Sequence, residues 1–327
     1  MVFRCEPEDD EYKDTIKTLL DASRADSTVH KYNRLFAQWE KWAIDMKLHA
    51  CAASAEDIAR YLICLYNGKA PFSRIQGTFY AIKWKIDCNP NVVVSPCDSK
   101  FLSNLLLGIK KLQAKPIVKK EPITPDMIKH LIGKFGRHDN LKDIRLCTMI
   151  LLSYSGFLRF NELINIRRCD IQLFVSHANI FISKSKTDIF RQGAWVLVGA
   201  TGSLCCPVSM LKRYLDLAQF SSESDEKFLI RPVQCIILNQ LYRLRDGQLS
   251  YTRCLEIFKE ALADIGINPK SFGLHSLRAG GATAAANYGV PDRLFKKHGR
   301  WRSETAKDGY VKDSIQNRLS VSLNLGL

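Results

Sequence analysis

The sequence predicts a mostly α-helical chain with a small antiparallel β-sheet, laid out as a helical domain followed by an α+β domain. Three observations carry that reading. Apolar residues recur at three-and-four spacing through the first third of the chain, periodicity is lost between residues 110 and 122, and three short β-type segments lie beyond that break. A length of 327 residues favours two domains over one.

Residues 1–22, with Glu6, Glu8, Asp9, Asp10, Glu11 and Asp14, read as an acidic, flexible tail. A first helix is expected from Ser27, where Tyr32, Leu35, Phe36, Trp39, Ala43 and Met46 line one face and Ser27 or Thr28 caps the start. Ser54, followed by Glu56 and Asp57, opens a second helix with Ile58, Leu62 and Leu65 as its apolar stripe. A third runs from Ser73 towards Ile86. The fourth, from Asp98 through Phe101, Leu105, Leu106 and Ile109, closes on lysines that suit the negative end of the helix dipole. These make a four-helix domain over residues 23–113. Around a linker at 114–122, Lys110, Lys111, Lys115, Lys119 and Lys120 are interspersed with Pro116 and Pro122, a pattern that is either a solvated connector or a track for a phosphate backbone.

The second domain, 123–327, opens with Thr124 at a helix cap and Pro125 at the first helical position. A buried helix over Ile144–Tyr154 is ended by Gly156, and a short helix spans Arg159–Ile166. Ile171–Val175, Asn179–Ser183 and Ala194–Val198 are strands, the last two a hairpin about the polar turn at Lys184–Asp188. Amphipathic helices are expected over Pro207–Leu217 and Ser250–Ile265. An Ala-rich helix over Leu274–Tyr288 is closed by Gly289, and Pro291 opens another.

Charge narrows the partners. Forty-eight Lys and Arg against 33 Asp and Glu leave +15, a field suited to a polyanion. No apolar run reaches the ~18 residues of a membrane span. The acidic first residues are the opposite of a secretory leader, so no export is expected. Eleven cysteines, an odd number with no CxxC pair, read as free and mostly buried thiols in a reducing intracellular compartment, the nucleus if the source is eukaryotic. No GxxxxGK[ST] loop, HExxH, GxSxG or carboxylate cluster for two metals is present. Any nuclease chemistry is therefore expected to proceed without metal or ATP, by covalent attack of a side chain on phosphorus assisted by fixed cations.

Basic side chains sit where such chemistry would need them. Arg159 follows the Gly156 turn, Lys186 lies in the hairpin turn, and His275 and Arg278 share a helix face at a spacing of three; His298-Gly-Arg-Trp301 comes next, and Tyr310 lies nine residues beyond Trp301. With these residues the chain resembles the tyrosine recombinase (phage integrase) family, especially the recombinases of DIRS-like eukaryotic mobile elements and the animal Xer-type homologues. The family's first box matches Ser155-Gly-Phe-Leu-Arg159 with Glu162, its hairpin lysine matches Lys186, its His-x-x-Arg box matches His275 and Arg278, and its His-or-Trp position and nucleophile match Trp301 and Tyr310. Ala279 departs from bacterial relatives, many of which carry a second His there.

The resemblance implies a helical core-binding domain and an α+β catalytic domain that together act on double-stranded DNA. Tyr310 would attack phosphorus to give a 3′-phosphotyrosyl bond. Arg159 and Arg278 would clamp the non-bridging oxygens, and Lys186, with Lys184 as its rival, would protonate the leaving 5′-oxygen. His275 would assist proton transfer, Trp301 would position, and Glu162 and His298 would support from behind. The protein would be a monomer when free and a homotetramer on DNA, a dimer per duplex, with Val311, Ile315, Leu319, Val321, Leu323 and Leu325 in a tail that docks on a neighbour or folds back. Type IB topoisomerase-like relaxation and a non-cutting, host-adopted DNA-binding protein are the alternatives.

Overall fold

The computed structural model describes residues 9–116, 118–186, 188–220, 225–236 and 241–326. The chain divides into two compact units, Met1–Ile117 and Val118–Leu327. No helix among the described residues is long and apolar enough to cross a membrane.

The first unit contains α1 (Asp9–Ala22), α2 (Asp26–Asp45), α3 (Ala55–Asn67), α4 (Phe72–Asp87) and α5 (Lys100–Leu112). Helix α1 corrects the expected acidic tail: its polar sequence still places Tyr12, Ile16 and Leu19 at helical spacing, and acidic residues at a helix start are favourable. Helix α2 begins one residue before Ser27, on Ala25 and without a side-chain cap, and its buried face ends at Ala43, leaving Met46 exposed. Ser54 and Asp57 form the reciprocal cap expected of α3. Trp39 is the core's pivot. It is fully buried, it stacks on Trp42 and meets Tyr61 at a tilt, and its Nε1 donates to the Ala50 carbonyl at 3.1 Å.

The second unit is built around α7 (Leu141–Ser155), whose Leu141–Ser153 stretch is buried almost without interruption. Against it pack α6 (Pro125–Phe135), capped by Thr124, and the later helices α9 (Pro207–Leu217) and α11 (His275–Asn287). Between them lie α8 (Phe160–Ile164) and an antiparallel sheet of β1 (Ile171–Leu173), β2 (His177–Ile182) and β3 (Ala194–Gly199) in that order. Ile180 pairs with Ile171 on one side and Val196 on the other, so one face of the sheet is apolar and closes the core. Helices α10 (Tyr251–Asp264), α12 (Asp292–Gly299), α13 (Glu304–Asp308) and α14 (Ile315–Leu323) complete the unit, with a second hairpin of β4 (Val233–Ile236) and β5 (Leu241–Leu244). That hairpin, α13 and α14 lie outside the sequence-based expectation, each being short and without strong apolar periodicity. Ten cysteines are described, all free, but only Cys97, Cys147, Cys206 and Cys254 are buried, fewer than expected.

Candidate active site

Three elements of the second unit converge. The first follows α7, where Gly156 ends the helix and a Cβ at that position would lie 2.9 Å from the Leu152 carbonyl. Phe157 then adopts φ +47°, a left-handed backbone, and Arg159 sits at the N-cap of α8. Glu162, fully buried, accepts the Arg159 backbone N–H at 2.9 Å and its Nη1 at 2.5 Å. Burial would raise the Glu162 pKa, but Arg300, the Arg159 N–H, Arg159 and Arg278 together hold it below the ordinary carboxylate value.

The second element is α11. A Cβ on Gly280 would lie 2.1 Å from the Ile123 carbonyl, and one on Gly281 would lie 2.0 Å from the Tyr154 carbonyl. Glycine at both positions lets the helix press against backbone, which buries Arg278 completely. Arg278 donates through Nη1 to the Phe157 carbonyl and through Nη2 to that of Gly299 at 2.6 Å. Burial, then the charge of Arg159, pushes its pKa down to about 10, against the pull of Glu162. His275, three residues earlier, is exposed; desolvation and then Arg278 and Arg159, with Lys186 adding to them, lower its pKa despite Glu162.

The third is the turn after α12. Gly299 lies directly beneath Trp301, where a Cβ would come within 1.9 Å of the indole, and Arg300 adopts φ +54°. Trp301, Phe157, Phe295 and Tyr310 form a separate aromatic cluster, with the Trp301 and Tyr310 ring centres 5.6 Å apart. The Arg278 guanidinium carbon stands 4.9 Å from both of those rings. Helix α13 brings Tyr310 there. Buried Lys307 pairs with Glu304 at 2.6 Å and with Asp292 of α12, and the Tyr310 carbonyl accepts from Thr283 of α11 at 3.3 Å.

Arg159, Glu162, Arg278, Trp301 and Tyr310 thus form one cluster, with His275 beside it. Lys186 is exposed in the β2–β3 connection, and its charge is felt at His275. Lys184 lines a small cleft with Glu162 and Asn165. A second cleft of about 190 Å³ separates the hairpin residues Ser185 and Asp188 from Arg300 and Arg302. His298 turns inward: its Nε2 donates to the Ser155 carbonyl at 2.8 Å, its ring meets Phe157 edge-on, and burial first, then Arg300 and Arg278, depress its pKa.

Of the basic residues read as DNA-binding, Lys110 and Lys111 lie in the last turn of α5, not in the connector. Lys115 and Lys119 are exposed, and Lys120 donates to the Lys270 carbonyl. In the terminal segment Val311 packs on the aromatic cluster, while Ile315, Leu319, Val321, Leu323 and Leu325 are exposed. Sequence reasoning missed Arg300, which is 11% exposed and pairs with Glu162 at 2.7 Å; its only signal was a place beside Trp301.

Residues 121–316 match the phage integrase family. The integrase/recombinase xerD homolog of Selenomonas ruminantium is 25% identical over 311 residues, 93% of this chain and 88% of that protein. The fold is similar to that of the XerH site-specific recombinase bound to its palindromic difH substrate, with TM-score 0.59 at 15% identity over 91% of this chain and 77% of that one. It is also similar to a lambda integrase dimer bound to a COC' core site, with TM-score 0.54 at 16% identity over 93% of this chain and 95% of that one. With that match spanning more than half of its length, and a buried arginine packed between Trp301 and Tyr310, the chain belongs to the phage integrase family of tyrosine recombinases.

Proposed function

We propose that this protein is a site-specific DNA recombinase that cuts and rejoins strands through a tyrosine-linked intermediate. The observation that carries the reading is the placement of the Tyr310 ring against the Arg278 guanidinium, itself 3.7 Å from the carboxylate that holds Arg159. A phenol near pKa ~10 is a weak nucleophile at neutral pH, and a phosphodiester repels attack by its own charge. Guanidinium donors offset both barriers, because they match phosphate geometry and stabilise the charge that develops at phosphorus.

In the reaction the Tyr310 oxygen bonds to phosphorus, its proton leaves towards His275, and the bond from phosphorus to the 5′-oxygen breaks. Lys186 gives that oxygen its proton, with Lys184 beside Glu162 as the alternative donor. The phosphotyrosyl bond stores the energy of the broken linkage, so a 5′-hydroxyl from a second duplex reverses the step and joins new partners. Exchange between two duplexes calls for a protomer at each of four strands, a tetramer assembled on DNA from a free monomer. The xerD homolog's name and the DNA in the XerH complex support this reading.

Incubation with supercoiled plasmid, quenching in detergent and digestion with protease will leave peptide on DNA 3′ ends. If wild type and Tyr310→Phe yield the same DNA products, the reading fails. Sequencing the tyrosine-linked ends identifies the target.

A further inference from the structure

Three arginines converge on one buried carboxylate. Arg300 Nη2 lies 2.7 Å and Arg278 Nη1 3.7 Å from Glu162 Oε2, while Arg159 Nη1 holds Oε1 at 2.5 Å. They differ in what they have left to give. The two terminal nitrogens of Arg300 each make two contacts with protein: Nη1 to the carbonyls of Gly156 at 3.2 Å and His298 at 2.9 Å, Nη2 to Glu162 and to the Phe157 carbonyl at 3.1 Å. All four of its terminal N–H groups are thereby committed, although its Nε has no acceptor among the described residues. Arg278 commits one N–H on each terminal nitrogen, and its Nε too has no acceptor among those residues. Arg300 also occupies a left-handed backbone, φ +54° and ψ 37°, which is costly for a residue with a Cβ and free for glycine.

We infer that Arg300 is a positioning residue for strand cleavage: it neutralises Glu162, leaving the charge of Arg159 and Arg278 for the phosphodiester. The inference rests on the recombinase reading and deepens it. With Arg300 the cluster carries three positive charges and one negative. That net balance matches the roughly two negative charges of a phosphoryl-transfer transition state. Without it, Glu162 draws on Arg159 and Arg278 alone, and one unit of charge is withdrawn from the site. After the opposing effect of burial, Arg300 is the strongest influence on the Glu162 pKa.

The test uses full-length protein and four forms: wild type, Arg300→Gly, Glu162→Gln and the double variant. Glycine suits the left-handed backbone, so the first substitution removes charge without adding strain. Arg300→Gly is expected to bind plasmid DNA as wild type does but to form the Tyr310 adduct about 100-fold more slowly, the lower end of the scale for losing one charge-stabilising contact. The double variant is expected to regain about tenfold of that loss, since neighbouring charges are coupled. Thermal-shift titration with sodium tungstate, a tetrahedral dianion, reads the same balance without chemistry: stabilisation weakens in Arg300→Gly and returns in the double variant. An Arg300→Gly rate within about threefold of wild type, well inside the loss expected for such a contact, overturns the inference. So does a double variant no better than Arg300→Gly in both assays. If wild type forms no Tyr310 adduct, the recombinase reading falls instead, and the tungstate series still decides the role of Arg300.

Discussion

Tyr310 and His298 separate two kinds of residue that look alike in sequence. Tyr310→Phe keeps the ring packed on Trp301 and removes only the hydroxyl. The variant is expected to bind DNA within about twofold of wild type, because phosphate contacts dominate affinity, and to form no covalent adduct on denaturing gels. His298 lies three residues before Trp301 and turns to the Ser155 carbonyl, where burial favours its neutral form. Its depressed pKa makes a contribution to stability that is full above the unfolded value of 6.5 and is lost as pH falls through the folded value. His275 acts in the same window and direction, and the depressed Glu162 contributes stability that is full above about pH 4.5 and is lost only as pH falls below it. Urea denaturation at pH 7.5 and pH 5.5 should therefore show a smaller difference for His298→Gln, whose amide keeps a donor for Ser155, than for wild type. An unchanged difference would mean that His298 is not held neutral.

Helices place these side chains, and their glycines set the closeness of approach. In Gly281→Ala the new Cβ meets the Tyr154 carbonyl and the Phe157 ring, neither of which is a flexible side-chain end, so α11 must move away from α7. Overpacking of this kind costs about 1–3 kcal/mol, and the melting temperature of a unit this size should fall by about 2–4 °C for each kcal/mol. Adduct formation should fall further than stability, since Arg278 and His275 ride on the same helix. The Ser54–Asp57 cap of α3 is a contrasting case, legible from three residues of sequence. Ser54→Ala should cost about 1 kcal/mol. Exchange of the Asp57 and Ile58 amides should accelerate about fivefold, the equivalent of that energy if local opening controls exchange. Helices α9 and α10 could be read to within a residue at both ends, and α3 and α6 at their capped starts. Helix α1, with few apolar residues, and the β4–β5 hairpin, with an exposed first strand, lacked the periodicity that such reading needs.

The surplus of +15 becomes interpretable once the chain is a DNA enzyme. Between His275 and Arg318 nine Lys and Arg stand against four Asp and Glu, and Lys110, Lys111, Lys115 and Lys119 add exposed charge along the sequence around residues 110–119. DNA affinity should fall steeply with salt, and Lys115→Gln with Lys119→Gln should lower the log–log slope by about 2, if each lysine neutralises one phosphate. A slope unchanged in that pair would assign them to solvation alone. The ordered motifs from Arg159 to Tyr310 were enough to name the family, because chemistry on a phosphodiester demands a few residue types in a set order. They said nothing of which cation answers which anion. That depended on a left-handed turn at Arg300, a carboxylate buried at Glu162 and helices brought into backbone contact at Gly280 and Gly281. Coulomb and hydrogen-bond energies vary with distance and burial, and only the packed chain fixes those.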